Sequence, residues 1–261
     1  MARVYPLYSS SKGNATFIGS PTSGVLVDTG VSCKRLLEGL EVSGISLDAV
    51  KAIFITHEHG DHISGLSVLT KKCRIPVFAE EDTLDFLICN NYISPLCSAE
   101  VITNKGVEVS GMHIKCFSTP HDTRQSCGYS IFTADNKKIT ICTDLGEITP
   151  TVEENLLGSD LVLLESNYDE QMLRNGAYPF SLKKRILSAN GHLANHHCAK
   201  QVKKLLQNGT TRVILGHLSQ ENNTPQVAER TVLSELNEFV RNKDYILSVA
   251  PVCTKGAMCV L

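Results

Sequence analysis

Residues 52–62 read A-I-F-I-T-H-E-H-G-D-H, and this stretch decides how the rest of the chain is understood. Its first half is an apolar run with β-branched residues, the pattern of a strand buried on both faces. Its second half places His57, His59, Asp61 and His62 within six residues. A strand end fixes the backbone, and the turn after it, with Gly60 inside, can gather those side chains around a small volume. Imidazole and carboxylate are donors that suit Zn²⁺, Mn²⁺ or iron. A surface turn that merely happened to be rich in histidine would not need a buried strand in front of it.

Four donors cannot hold two ions, so a dinuclear site predicts further donors at other strand ends. They are present: C-F-S-T-P-H-D supplies His121, I-T-I-C-T-D supplies Asp144, and V-I-L-G-H supplies His217. Other strands are expected at Val4 to Tyr8, Ala15 to Ile18, Val25 to Asp28, His113 to Ser118, Gly128 to Phe132, Lys138 to Thr143, Leu161 to Glu165 and Arg212 to Leu215. Helices are expected at Ser181 to Ala189, at Asn195 to Gln207, and after Thr224-Pro225, where Ala228, Val232, Leu236, Phe239 and Val240 share a face. Strands alternating with helices make the chain α/β.

The bulk properties narrow the classes. With 261 residues, 42% of them hydrophobic, the chain can bury a sizeable core. Twenty-five Lys plus Arg against 27 Asp plus Glu leave a net charge of -2, so nucleic-acid binding must rest on a local patch. No run approaches the roughly 18 apolar residues of a membrane span, and the N-terminus lacks the apolar core of a signal peptide. A cytoplasmic protein without a membrane partner is expected. The ten cysteines, spread from Cys33 to Cys259 without a C-x-x-C pair, read as reduced thiols.

H-x-H-x-D-H with later His, Asp and His at strand ends resembles the metallo-β-lactamase superfamily, and the resemblance covers essentially the whole chain. It implies one domain over residues 1–261, an αβ/βα sandwich with two divalent metal ions, Zn or Mn, at one edge of its sheets. Carried over by motif, His57, His59 and His121 hold the first ion, Asp61, His62 and His217 the second, and Asp144 bridges them. Asp61 is also counted among the catalytic residues. Asp28, in V-L-V-D-T-G, fixes the histidine loop rather than binding metal. Two ions about 3.5 to 4 Å apart can lower the pKa of a shared water toward neutrality, so the implied chemistry is hydrolysis. Redox relatives with two irons usually carry a Glu where His59 stands.

Two further motifs bear on the bond that is cut. L-V-L-L-E-S-N-Y supplies Glu165 and N-G-H-L-A-N supplies His192, resembling the acidic and histidine motifs of the J-type and Z-type ribonucleases. In those families the carboxylate orients an imidazole that faces the scissile phosphate. A departing alkoxide needs a proton, so His192 is the candidate general acid, a contribution of roughly a hundred- to ten-thousand-fold. S-S-S-K-G-N-A-T-F-I, and Y-P-F-S-L-K-K-R-I followed by G-H-L-A-N, resemble the YycJ/WalJ group, which implies 5′-to-3′ exonuclease action on DNA rather than RNA. Only 27 positions separate Glu165 from His192, too few for the RNA-clamping insertion of the J-type enzymes. The alternative is a small-molecule, cyclic phosphodiesterase or a thioester hydrolase of the same fold.

Three stretches have two readings each. The turn Ser9 to Asn14 either contacts phosphate or is a plain hairpin turn. Lys183, Lys184 and Arg185 with Lys200, Lys203 and Lys204 form either a basic strip beside His192 or solvated helix faces. Residues 167–179 are a flap or a long surface loop. In N-G-H-L-A-N-H-H, Asn195 reads as a helix N-cap, and His196 and His197 fall in the first turn, outside any metal site.

Overall fold

Alternation along the strands sets the layering. The computed structural model describes residues 2–256 and the backbone of 259–260. The first half of the chain supplies β1 (Arg3–Tyr8), β2 (Ala15–Ser20), β3 (Ser23–Val27), β4 (Val50–Phe54), β5 (Val77–Ala79) and β6 (Ala99–Val101). The second supplies β7 (Val107–Val109), β8 (Met112–Ser118), β9 (Cys127–Thr133), β10 (Lys138–Cys142), β11 (Leu161–Glu165), β12 (Arg212–Gly216) and β13 (Ile246–Val249). A last strand, β14 (Cys259–Val260), pairs with β1. The strand orders are β14-β1-β2-β3-β4-β5-β6 and β13-β12-β11-β10-β9-β8-β7. β3 to β6 run parallel to one another, as do β10 to β13.

Successive side chains of a strand point to opposite faces, and here each face meets a different layer. In β4, Ala52 and Phe54 join the core between the sheets, while Ile53 packs under the outer helices of the first sheet. In β11, Leu161 and Leu163 face the other sheet, while Val162 and Leu164 face the helices outside the second. Those outer layers include α1 (Cys33–Val42), α2 (Gly60–Ile63), α3 (Leu66–Lys72) and α4 (Glu81–Cys89) on one side. On the other are α5 (Pro150–Leu156), α6 (Glu170–Asn175), α7 (Phe180–Ile186), α8 (Asn195–Gln207) and α9 (Pro225–Glu235). The result is the αβ/βα sandwich read from the sequence.

The structure corrects several local expectations. α9 ends at Glu235, so Phe239 and Val240 do not extend its apolar face, and Val240 is 56% exposed. Asn195 is the first helical residue of α8, not its cap; Ala194 holds the cap position. The Asn195 side chain is buried, accepting from Ser166 Oγ at 2.7 Å and donating to Asn223 at 3.0 Å. Residues 167–179 are not a bare loop, because α6 forms there behind the Asp169 cap. The nine described cysteines are all free thiols.

Candidate metal centre

The carboxyl ends of the parallel strands meet along one edge, where α/β sheets habitually place their sites. Asp28 follows β3, His57 to His62 follow β4, and Asp144, Glu165 and His217 close β10, β11 and β12; His121 follows β8. Asp28, Asp144 and His217 adopt φ of 62°, 58° and 55°, a left-handed turn that Asp tolerates better than most residues. The D-T-G turn lies directly on the histidine loop: a Cβ at Gly30 would sit 1.6 Å from the Asp61 carbonyl oxygen, so only glycine fits. Gly60, by contrast, has open space around its Cβ position and starts the short α2.

The expected donors come together in the predicted sets. His57, His59 and His121 offer ligand atoms within 4.8 Å of one another, and so do Asp61, His62 and His217. Asp144 lies between them, 3.1 Å from His62 Nε2, 3.5 Å from His121 Nε2 and 3.6 Å from His217 Nε2. Each set draws two donors from the first sheet's loops and one from the second sheet's, so the centre straddles the sandwich.

Hydrogen bonds hold most of these imidazoles by the far nitrogen. His62 Nδ1 donates to Asp28 at 2.8 Å, and His121 Nδ1 donates to the Gly191 carbonyl at 2.9 Å. His217 Nδ1 donates to Glu165 at 2.7 Å, and His57 Nδ1 meets the Thr56 hydroxyl at 3.0 Å. This leaves Nε2 of each ring facing the centre. Nε2 of His57 and of His121 are buried there without a hydrogen-bond partner among the described residues. A buried nitrogen lone pair without a donor is costly, and a divalent cation removes the cost.

The electrostatics point the same way. Burial holds His57 and His121 below the usual imidazole range, which keeps their lone pairs free. Burial also opposes charge on His62, yet Asp28, Asp144 and Asp61 outweigh it and push the ring well above that range. His217 is treated likewise: burial pulls it down, while Asp144, Asp61 and Glu165 carry it up to about 10. Burial opposes charge on Asp144 and Glu165 too, yet both are held below the usual carboxylate range, Asp144 by His217, His62 and His121 and Glu165 by His192 and His217. The pocket thus gathers positive charge around buried carboxylates, and bound cations would supply it instead.

Beside the centre, Glu165 is 0% exposed and uses both oxygens. Oε2 accepts from the Leu145 and Leu193 amides at 3.1 and 3.0 Å, and Oε1 receives His192 Nδ1 at 2.9 Å as well as His217. One carboxylate therefore orients both the candidate acid and a candidate ligand. His192 lines a cavity of about 380 Å³ with Lys12, His59, Asp61, Asp144, Tyr178 and Arg185 among its walls. His196 and His197 lie apart from it on α8, with ring centroids 4.0 Å from each other. The histidine-rich stretch contributes one residue to the site.

Residues to which the sequence assigned no role behind the ligands complete the arrangement. Thr56 donates its hydroxyl to Asp28, Asn14 Nδ2 donates to the Asp61 carbonyl at 3.3 Å, and Asn167 donates to the His217 carbonyl at 2.8 Å. Ser9 Oγ accepts from the His217 amide at 2.8 Å. The Ser9 to Asn14 turn is thus largely an internal clamp; Ser11 and Lys12 are the part of it that reaches the cavity. The basic strip does not form as one surface: Lys203 pairs with Glu238 at 3.3 Å, Lys204 with Glu153, and Arg185 with Asp122.

Comparison with known proteins agrees with this geometry. A β-lactamase superfamily domain matches residues 24–218. The exodeoxyribonuclease YycJ of Bacillus anthracis is 34% identical over 236 residues, covering 89% of this chain and 88% of that one. The exodeoxyribonuclease WalJ of Streptococcus pneumoniae D39 is 33% identical over 233 residues, covering 88% and 86%. The chain belongs to the metallo-β-lactamase superfamily of metal-dependent hydrolases, in the YycJ/WalJ group. Among solved structures, YhfI of Bacillus subtilis, a metallo-β-lactamase fold protein, superposes with a TM-score of 0.73 over 100% of both chains at 13% identity. A diphosphatase of the PhnP family gives 0.67 over 97% of this chain and 95% of that one at 18%. At those identities the likeness is one of fold.

Proposed function

We propose that the chain is a DNA exonuclease that removes nucleotides in the 5′-to-3′ direction, working as one domain in the cytosol. Free thiols throughout the described chain fit a reducing compartment, and no described helix is long and apolar enough to cross a membrane. The observation that carries the reading is the Glu165–His192 pair at 2.9 Å, placed beside the donor cluster and opening on the same cavity. Lactam and thioester hydrolysis do not require a proton delivered to an alkoxide; phosphodiester hydrolysis does. The YycJ and WalJ relatives named as exodeoxyribonucleases support DNA, and the direction rests on the resemblance to their group.

Two divalent ions, held by His57, His59 and His121 and by Asp61, His62 and His217 with Asp144 between them, would activate water and offset the charge developing on phosphorus. The protein's own groups do the rest. Glu165 fixes the ring of His192 so that Nε2 faces the cavity and can pass its proton to the leaving oxygen. Lys12 and Arg185 line the same wall and can meet phosphate oxygens, while Tyr178 and Leu182 offer apolar surface to a sugar or base. The cavity volume of about 380 Å³ falls at the small-ligand end of the usual range, which suits a strand terminus.

The test is a panel of end-labelled single-stranded and duplex DNA, RNA, a cyclic nucleotide, bis(p-nitrophenyl) phosphate and a thioester, each with Zn²⁺ and with Mn²⁺. Mononucleotides released progressively from the 5′ end are expected. Turnover of the thioester alone, or of the cyclic nucleotide without DNA, would sink the proposal; release from the 3′ end would reverse only its direction.

A further inference from the structure

α7 presents two faces to two different clefts. Leu182, Arg185 and Ile186 line the metal cavity. Phe180, Lys183, Lys184 and Leu187 recur at i, i+3, i+4 and i+7, so they share the opposite face. With Arg174 and Ser188 they line a second cleft of about 640 Å³. Phe180 is 83% exposed, the most exposed large apolar side chain among the described residues. The charge around it is positive and largely uncompensated. Arg174 is neutralised by Glu170 at 2.6 Å, but Lys183 spends one hydrogen on the Arg174 carbonyl, which cancels no charge, and Lys184 has no ion-pair partner among the described residues.

An exposed aromatic ring flanked by two unpaired ammonium groups matches a single-stranded nucleic acid: the base offers a π-face and the backbone offers phosphates. We propose that this cleft is a second subsite of the exonuclease, in which Phe180 stacks on a base of the strand whose end occupies the metal cavity, while Lys183 and Lys184 hold its phosphates. The inference rests on the nuclease reading. A helix with its side chains is about 10 to 12 Å across, and the bases of a stacked strand each advance about 3.4 Å along its axis, so the contacted base lies roughly three nucleotides from the scissile end. Stacking on any base is nearly independent of sequence, as an exonuclease needs.

The test uses the metal-reconstituted full chain and single-stranded substrates of about two and about eight nucleotides, with bis(p-nitrophenyl) phosphate as control. Phe180→Ala is expected to raise KM for the longer strand by about 5- to 100-fold, the effect of one lost base stack, and to leave the short strand and the nitrophenyl ester unchanged. Phe180→Trp should restore KM and report binding by quenched indole fluorescence, and Lys184→Ala should lower the salt dependence of KM by about one phosphate contact. Equal KM values for wild type and Phe180→Ala on the longer strand would overturn the subsite while leaving the nuclease reading intact. A dimer that Phe180→Ala dissolves would assign the cleft to a second copy and overturn it too. A wild-type chain that cleaves no DNA of either length would refute the nuclease reading and the subsite with it.

Discussion

Asp144 combines a left-handed backbone, complete burial and a position between both sets of candidate ligands, and the three properties can be separated by mutation. Asn tolerates the same backbone as Asp, so Asp144→Asn removes charge with little backbone penalty, whereas Asp144→Ala adds strain of about 1 to 3 kcal/mol. Elemental analysis and kcat/KM should therefore show lost metal and activity in both variants, while among the metal-free proteins, wild type included, a markedly lower melting temperature is expected only in Asp144→Ala. For His192, truncation to Ala is expected to slow DNA cleavage by roughly a hundred- to ten-thousand-fold and bis(p-nitrophenyl) phosphate far less, because nitrophenolate leaves without a proton. Equal losses on the two substrates would make His192 a phosphate-positioning group. Glu165→Gln differs from both: it loosens His192 and His217 together, so kcat and metal affinity should fall jointly, the latter by about 10- to 100-fold. The histidines and aspartates of the centre were legible because each ends an apolar run. The supporting roles of Thr56, Asn14 and Asn167 were not, since a single polar residue that bonds a candidate ligand from behind leaves no periodic trace in the sequence.

At the scale of elements, the longer interior strands were readable, whereas the edge strands and the three-residue interior β5 were not. β4, β10, β11 and β12 are buried on both faces, so they are continuous apolar runs; β6 and β7 lie at sheet edges, three residues each, with Ala99, Glu100, Val101 and Glu108 at least partly open to solvent. The end of α9 shows a different limit. Apolar spacing continues through Phe239 and Val240, but the chain must turn to enter β13, and the Asp244 carboxylate offers the Val240 amide a partner at 2.7 Å that a helix would have denied it. The start of α9 was legible because Thr224 and Pro225 carry a local mechanism: Thr224 Oγ1 accepts from the Val227 amide at 3.2 Å. Thr224→Ala should therefore cost about 1 kcal/mol in a chemical-denaturation midpoint without changing catalysis. Asn195→Ala is expected to cost more, about 1 to 3 kcal/mol, since it strands the buried Ser166 hydroxyl and Asn223 amide rather than uncapping a helix. An Asn195→Ala loss no larger than that of Thr224→Ala would show that those groups find other partners.

For the whole molecule, the two sheets share one core but bring opposite halves of the centre: Asp28 and His57 to His62 from one, His121, Asp144, Glu165 and His217 from the other. In the unfolded chain these donors are up to 160 positions apart, counted from His57 to His217, so no comparable site exists there. Ions that bind the native state alone stabilise it by mass action, about 4 kcal/mol at a thousandfold excess over Kd. The metal-free protein is also less stable for a second reason, since Nε2 of His57 and His121 stay buried and unpartnered. Melting temperature is therefore expected to rise saturably with Zn²⁺ or Mn²⁺ and to fall when a chelator removes the ion. His57→Ala separates the two contributions: it deletes one unpartnered nitrogen while breaking the first ligand set, so its metal-free form should lose little stability relative to metal-free wild type, yet its gain on adding metal should shrink. A metal-induced rise as large in His57→Ala as in wild type would mean that the ions stabilise the fold from somewhere other than this edge.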